Sequence, residues 1–469
     1  MKTASALLFA VLLLSGCAPY RYHAVPASPP VIATRLEARR LDDPNLRTWM
    51  DSAVHYQPPV WPQRSWNLRT LTFAAWYFSP DLDVARQQMG EAQAAIRTAA
   101  MKPNPSAGSD AGYETAPEAP FLANLNLDFP IETAGKRRYR VAAARHLSLA
   151  SQCQLDEDAW MVRARLRRAW VSYALAIREH DLLRDQESLQ SRYTDLLDWQ
   201  MRAGQIPLPE VTTARLDLMR LRQSLSEAEG GIATARAALA GAIGIPTSAL
   251  SGIDISTVEF SSPPSPESLP LNTATDLAVR NRLDVQAALE EYQATQARLQ
   301  LEVARQYPDI DLGPGYGYEE GYQLVTAGLS AILPLRNRNQ GPIAEAEAQR
   351  KLAGARLLST QSTVISQTDQ AEAQYRAAWV TWEQARKVLA ETRTAKHSAQ
   401  QAFGAGETSR AALLSAEIQT VVAERDSLTA LQQTQVDLGV LEDALERPIE
   451  SDNQTPFPQR APRRKEAVP

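Results

Sequence analysis

Five histidines, at positions 23, 55, 146, 180 and 397, and two cysteines, Cys17 and Cys153, are the side chains of this 469-residue chain best suited to hold a metal or act as nucleophiles. The histidines stand apart, with no pair at ligand spacing. No Ser, His and Asp set suggests itself, and no glycine-rich phosphate loop is present. The sequence therefore predicts no enzyme, no metal site and no cofactor. Cys153 lies in a helical "SQCQLD" and reads as a small residue packed against a neighbouring helix rather than a reactive thiol. Cys17 stands differently, at the end of "MKTASALLFAVLLLSGC", where one basic residue is followed by an apolar run too short to span a bilayer. A net charge of −5 with no long basic stripe argues against nucleic acid as a partner.

Leu14, Ser15, Gly16 and Cys17 resemble the lipobox of bacterial lipoprotein signal peptides, in which the cysteine becomes the lipidated first residue. By that resemblance residues 1–16 are a signal peptide, and Ala18 in place of an acidic residue sends the protein to the outer membrane. Cys153 is then the one cysteine left in the mature chain, which excludes an internal disulfide.

The elements that would carry any function are written twice. "LDV" at 82–84 returns at 283–285, Ala203 and Gly204 return as Ala405 and Gly406, and Pro246 returns as Pro448, an offset near 202 residues. Each repeat predicts a first helix (66–101 and 274–306) ending at prolines, then a strand pair (106–114 with 121–131, and 309–318 with 323–335). Helices of nearly 70 residues follow (137–202 and 342–403), which at 1.5 Å per residue reach roughly 100 Å. A glycine turn then reverses the chain into a return helix ending at Pro246 or Pro448. Residues 17–65 form a polar, proline-rich extension predicted to wrap along the outside, 66–252 the first repeat, 253–270 a linker, 271–449 the second repeat, and 450–469 a disordered tail.

The strand at 121–131 alternates cleanly. Leu125, Leu127 and Phe129 share one parity and Asn124, Asn126 and Asp128 the other, and in the second repeat Leu329 and Leu333 fall on one parity. A small soluble sheet with one wet face would show the same alternation. Its recurrence between long helices, behind that leader, favours a membrane sheet. Four strands cannot close a barrel, and an open edge in lipid costs several kcal/mol per unpaired backbone group, so copies must pool their strands. The return helix of the first repeat keeps a 3.5-residue apolar stripe at 211, 214, 218, 221, 225, 228, 232, 235 and 239, and leucines recur every seven residues from Leu175 to Leu196. In the second repeat Arg425 interrupts that stripe, which predicts a looser hairpin and the one through which opening occurs.

Over residues 66–449 the chain resembles the TolC-like outer-membrane factors, the outer membrane efflux proteins of tripartite pumps and type I secretion systems. "PIETAGKRRYRVAAA" and "LPLRNRNQGPIAEAEA" are similar to strand-to-helix junctions of its CzcC-like, cation-efflux branch. The resemblance implies a mainly α fold with a small membrane β part, trimerising into a 12-stranded outer-membrane barrel on a periplasmic α-barrel. Leu125, Leu127, Phe129, Leu329 and Leu333 would meet lipid, while Asn124, Asn126 and Asp128 would line the lumen. Lys136, Arg137 and Arg138 would reach phospholipid headgroups or stand as solvated charge at a helix start. Gly135 and Gly341 would give the backbone freedom to turn strand into helix. Gly204, Gln205, Gly406 and Glu407 would mark the tips that dock a periplasmic adaptor (membrane fusion protein), itself working with an inner-membrane RND-type transporter. Ala412 and Ser415 replace the aspartates that narrow the entrance in several members, leaving Glu210, Glu407 and Glu417 as the nearby carboxylates. The function implied is a passive exit duct for metal or drug, with a protein secretion duct or a poreless coiled-coil scaffold as alternatives.

Overall fold

The computed structural model describes residues 22–113, 121–269, 274–319 and 322–449, so Cys17 with its leader and the tail from 450 lie outside the described residues. Two compact units are present. The first, Met1–Arg39, carries α1 (Pro29–Glu37), started by a proline whose missing N–H costs nothing there, and none of its residues is buried.

The second unit, Arg40–Pro469, holds both repeats. Its first helix, α2 (Pro44–Val54), is capped by the Asp43 carboxylate accepting from the Asn45 amide. A short strand β1 (Ser65–Trp66) pairs in parallel with β4 (Asp254–Ile255). The extension predicted to lie along the outside is instead partly core: Leu41, Leu46, Trp49, Met50 and Val54 are buried with Trp66, Leu71, Phe73, Trp170 and Phe260. Each such large apolar side chain contributes about 1.5–3 kcal/mol by leaving water, more than its polar neighbours in sequence can offset. Trp76 and Trp170 find partners for their indole N–H groups in the carbonyls of Ala159 and Ser256.

Each predicted first helix is two. In the first repeat α3 (Leu68–Phe78) and α4 (Pro80–Ala99) meet at Ser79, held extended because Pro80 crowds the helical region for its predecessor. In the second, α7 (Ala274–Asn281) and α8 (Leu283–Ala304) meet at Arg282 without any proline. There the side chain makes the break: Arg282 bonds both Asp284 oxygens, Gln367 Oε1 and the Ala444 carbonyl.

Three of the four strands fall within one residue of where alternation placed them, and the last stops at Ala331, short of its expected end. β2 (Ser106–Tyr113), β3 (Phe121–Ile131), β5 (Ile310–Glu319) and β6 (Tyr322–Ala331) form one antiparallel sheet in the order β2-β3-β5-β6. Beyond it run α5 (Lys136–Arg202, 67 residues) and α9 (Gln340–Gly404, 65 residues), returned by α6 (Leu208–Ile243) and α10 (Arg410–Leu445), 36 residues each. Among the described residues no helix is long and apolar enough to cross a membrane.

On α6 the expected stripe is buried at both ends, at Val211, Ala214, Leu218, Leu221, Ala235 and Leu239, while Leu225, Ala228 and Ile232 in its middle are half-buried. On α5 it is displaced by one residue. Leu183, Gln190, Thr194 and Leu197 are the buried positions, while the heptad leucines 182, 189 and 196 are half-buried beside them. Gln190 is tolerated there because its amide donates to the Ala214 carbonyl.

Candidate functional site

The sheet has two chemically distinct faces, set by register. Phe129 sits opposite Leu312 and Leu312 opposite Leu329, making one apolar row across three strands; Leu125, Tyr316 and Val325 make another, and Leu127 lies against Ala107. Leu333 does not belong to this face. β6 ends at Ala331, opposite Ile310 where its partner β5 begins, and Leu333 lies two residues past it, 68% exposed.

On the opposite face Asp110, Asn124, Gly317 and Leu324 form one row, the leucine its one aliphatic member, and Gly108, Asn126, Gly315 and Thr326 the next. Asn124, Asn126 and Asp128 lie over Gly317, Gly315 and Gly313, so closely that a Cβ added to Gly315 would stand 2.6 Å from both Asn126 Oδ1 and Thr326 Oγ1. Glycine on β5 is what lets the amides lie flat along the wall. Asp110, Asp128, Asp311 and Glu319 are the charged residues of the four strands, all on this face, and none of the four contains lysine or arginine. The outer strands β2 and β6 each keep one edge without a strand partner.

The basic cluster after β3 has a different task from headgroup contact. Lys136 is 7% exposed, with Nζ 2.7 Å from Asp309 Oδ1 and 2.7 Å from the Tyr307 carbonyl. Burial works against ionisation of Asp309, but the Lys136 hydrogen bond, the Thr133 amide and the Lys136 charge outweigh it and hold that carboxyl below its ordinary range. Arg137 donates to the Ala100 carbonyl, and Arg140 to those of Ala99 and Met101 while gripping Glu132 through both oxygens. Cations thus close the unpaired carbonyls at the end of α4, which the helix dipole makes negative. Arg137 and Arg138 remain exposed, Arg138 stacked on Tyr139 and donating to its hydroxyl.

Gly135 does take the left-handed conformation expected of it, at φ 73°. Gly341 does not: it lies within α9, and Asn339 at φ 62° makes that turn, its amide bonded to the Glu302 carbonyl and carboxylate. Asparagine serves where glycine was expected because it too tolerates this region.

Two polar joints tie the repeats together, and a third closes the second repeat on itself. Deep between α5 and α10, Glu442 is fully buried, its Oε2 2.9 Å from Arg163 and 3.2 Å from Arg167. Burial alone would push its proton on, but the two guanidiniums prevail and keep its carboxyl low. Arg167 also donates to the Gln435 carbonyl and side chain, and Gly439 leaves it room: a Cβ there would lie 2.6 Å from the guanidinium. The second joint is Arg425. It bonds Gln186 on α5 at 3.1 Å, with Glu179 at 3.8 Å.

The third joint is Glu446, left-handed at the end of α10, whose carboxylate accepts from the Leu283 amide at the start of α8. Burial pushes its carboxyl up to about 7, against the Leu283 hydrogen bond and the Arg282 charge, with Asp284 and Glu157 of α5 adding repulsion. A folded pKa above the unfolded one means that the group favours folding fully below about 4.5 and loses that contribution as pH rises to 7. Stability is therefore expected to rise in wild type as pH falls from 8 to 5.5, and Glu446→Gln to remove on the order of 2 kcal/mol of that rise, read from thermal unfolding at the two pH values. An unchanged slope in the variant would refute this assignment.

At the far end both hairpin turns close alike. Gly204 and Gly406 have φ of 72° and 76°, their amides bond Met201 and Phe403, and those of Gln205 and Glu407 bond Gln200 and Ala402, a Schellman closure in each repeat. Near the first turn a groove of about 660 Å3 opens between the hairpins, lined among others by Tyr193, Glu210, Asp217, Ser415 and Gln419. Of the three carboxylates considered for the entrance, Glu210 faces this groove, while Glu407 and Glu417 do not.

The profile of the outer membrane efflux protein family matches residues 77–245 and 274–445, most of the two repeats. The cobalt-zinc-cadmium resistance protein CzcC of Cupriavidus metallidurans is 25% identical over 311 residues, 65% of this chain and 72% of that protein. The crystal structure of VceC, an outer membrane protein of Vibrio cholerae, superposes with a TM-score of 0.66 at 19% identity, covering 82% of this chain and 97% of VceC. A CusC structure, from a study of transmembrane channel formation, gives 0.66 at 17% identity over 92% of this chain and all of that one. These structures share the fold. With the matched residues spanning both hairpins and both strand pairs, the chain belongs to the outer membrane efflux protein family.

Proposed function

We propose that this chain is the outer-membrane exit duct of a tripartite efflux pump, and that divalent cations are what it passes. One observation carries the reading: a four-stranded sheet with an apolar face, a polar face and an unpaired edge at each side. Three copies joined edge to edge give twelve strands, which removes every edge and sets the polar faces inward. The long hairpins then extend the conduit into the periplasm, where the turns at Gly204, Gln205, Gly406 and Glu407 receive a periplasmic adaptor fed by an inner-membrane RND-type transporter. Cys17 adds a lipid anchor, which the mass of the mature chain checks.

The cation reading draws on the metal-resistance relative and on the wall itself, whose charged residues are all carboxylates. A lumen lined by one sign of charge concentrates the opposite ion. Purified protein in a planar bilayer is expected to give ohmic single-channel conductance, with a reversal potential favouring cations in a salt gradient. Asp128→Asn with Asp311→Asn is expected to move that potential toward zero. Absence of any conductance would leave a scaffold rather than a duct, and an unmoved potential would detach selectivity from this wall.

A further inference from the structure

The two strand-to-helix junctions are built from similar residues and differ in what their cations do. After β3, Lys136, Arg137 and Arg140 are all taken up by carbonyls and carboxylates of the chain. After β6 the chain runs Ile332, Leu333, Pro334, Leu335, Arg336, Asn337, Arg338, and there Ile332 is 84%, Leu333 68% and Leu335 80% exposed. Arg336 and Arg338 are exposed as well, and neither guanidinium has a hydrogen-bond or ion-pair partner among the described residues. α9 begins two residues after Arg338 with no side-chain cap and no acidic residue in its first turn.

From this asymmetry we infer that residues 332–338 form a binding site for anionic phospholipid, in the leaflet at the helical end of the sheet. The inference rests on the sheet being the membrane wall. The segment continues from β6, whose Leu329 belongs to the apolar face, so the three aliphatic side chains enter the acyl boundary where that face ends. Guanidiniums placed there extend to the headgroup level and match a phosphodiester with paired N–H donors. The amides of Gln340 and Gly341, uncapped by any side chain and at the positive end of the α9 dipole, favour the same charge, although Pro342 adds no third donor. A second copy of the chain suits the segment less well. Two unpaired arginines against protein would stay desolvated without a counter-ion, whereas at a lipid surface they keep both water and phosphate.

Native mass spectrometry of the full chain in detergent, titrated with phosphatidylglycerol or phosphatidylcholine, tests this. Wild type is expected to retain phosphatidylglycerol preferentially, and Arg336→Gln with Arg338→Gln to weaken retention about thirtyfold, from about fivefold for each cation near an anionic surface. Both side chains are exposed, so the variant is expected to keep its assembly state and its conductance. Equal retention by wild type and variant would overturn the proposal. So would displacement of phosphatidylglycerol by an equal concentration of inorganic phosphate, which would reduce the site to a phosphate site. Leu335→Glu separates the remaining occupant: dispersal of oligomers with lipid retention intact would give the segment to a second copy. Because retention is read in detergent, it stands or falls apart from conductance, the measurement on which the duct itself depends.

Discussion

Glu442→Ala is expected to destabilise the protein by about 3 to 5 kcal/mol, since it strands two guanidiniums where no solvent can replace the lost carboxylate. Arg163 and Arg167 are 7% and 2% exposed, and Arg167 is boxed in by Gln435 and Gly439. The loss is larger than a surface ion pair would give, for which about 0–1 kcal/mol is usual. Gly439→Ala should reproduce part of it without touching any charge, because its Cβ would force the Arg167 guanidinium aside. Thermal unfolding of the detergent-solubilised protein is the measurement. A Glu442→Ala midpoint equal to wild type would show the cluster to be wet and weakly coupled.

Leu127→Arg and Asn126→Arg differ by one residue and are expected to differ sharply in effect. On the apolar face, at the middle of β3 opposite Ala107, an arginine would cost roughly 2–4 kcal/mol at the bilayer midplane, enough to deplete heat-stable oligomers. On the polar face the same side chain would lie over Gly315, where nothing but Asn126 and its neighbours now fills the space, and would lower cation conductance while leaving assembly alone. Electrophoresis of unheated samples beside conductance reads both. Equal loss of oligomer in the two variants would mean that the faces are assigned wrongly.

How far the sequence could be read follows the range of the interactions involved. Strand alternation and long helical stripes are local, and β2, β3, α5, α6 and α10 lie within a few residues of their expected bounds because period two and period 3.5 need no distant partner to be visible. β6 was overextended for the same reason: parity carried on through Leu333 and Leu335 although the partner strand β5 begins only at Ile310, opposite Ala331. The joints were not legible. Arg163 and Arg167 sit one helical turn apart and look like a solvated face until Glu442, 279 residues from Arg163, is folded between them. Arg425 looked like a flaw in an apolar stripe because its partner Gln186 lies 239 residues earlier. Lys136, Arg137 and Arg140 answer carbonyls, which every residue carries and no sequence pattern marks. The extension before α3 misled through its average polarity, since a handful of residues such as Trp49 and Met50 decide where a segment packs.

The two unpaired edges of the sheet also bear on how quickly such a protein can be made. A lone protomer presents along β2 and β6 rows of amide and carbonyl groups that will pair with any extended chain they meet, so its lifetime before finding its own kind is a period of risk. For the trimer proposed above, assembly from three separate chains would slow steeply as their concentration falls, whereas capture by unrelated unfolded chains does not depend on finding two further copies. Biogenesis should accordingly be most error-prone at low expression, and co-localised synthesis, or a holding factor that covers the edges until the third copy arrives, would raise yield more than any substitution that stabilises the finished fold.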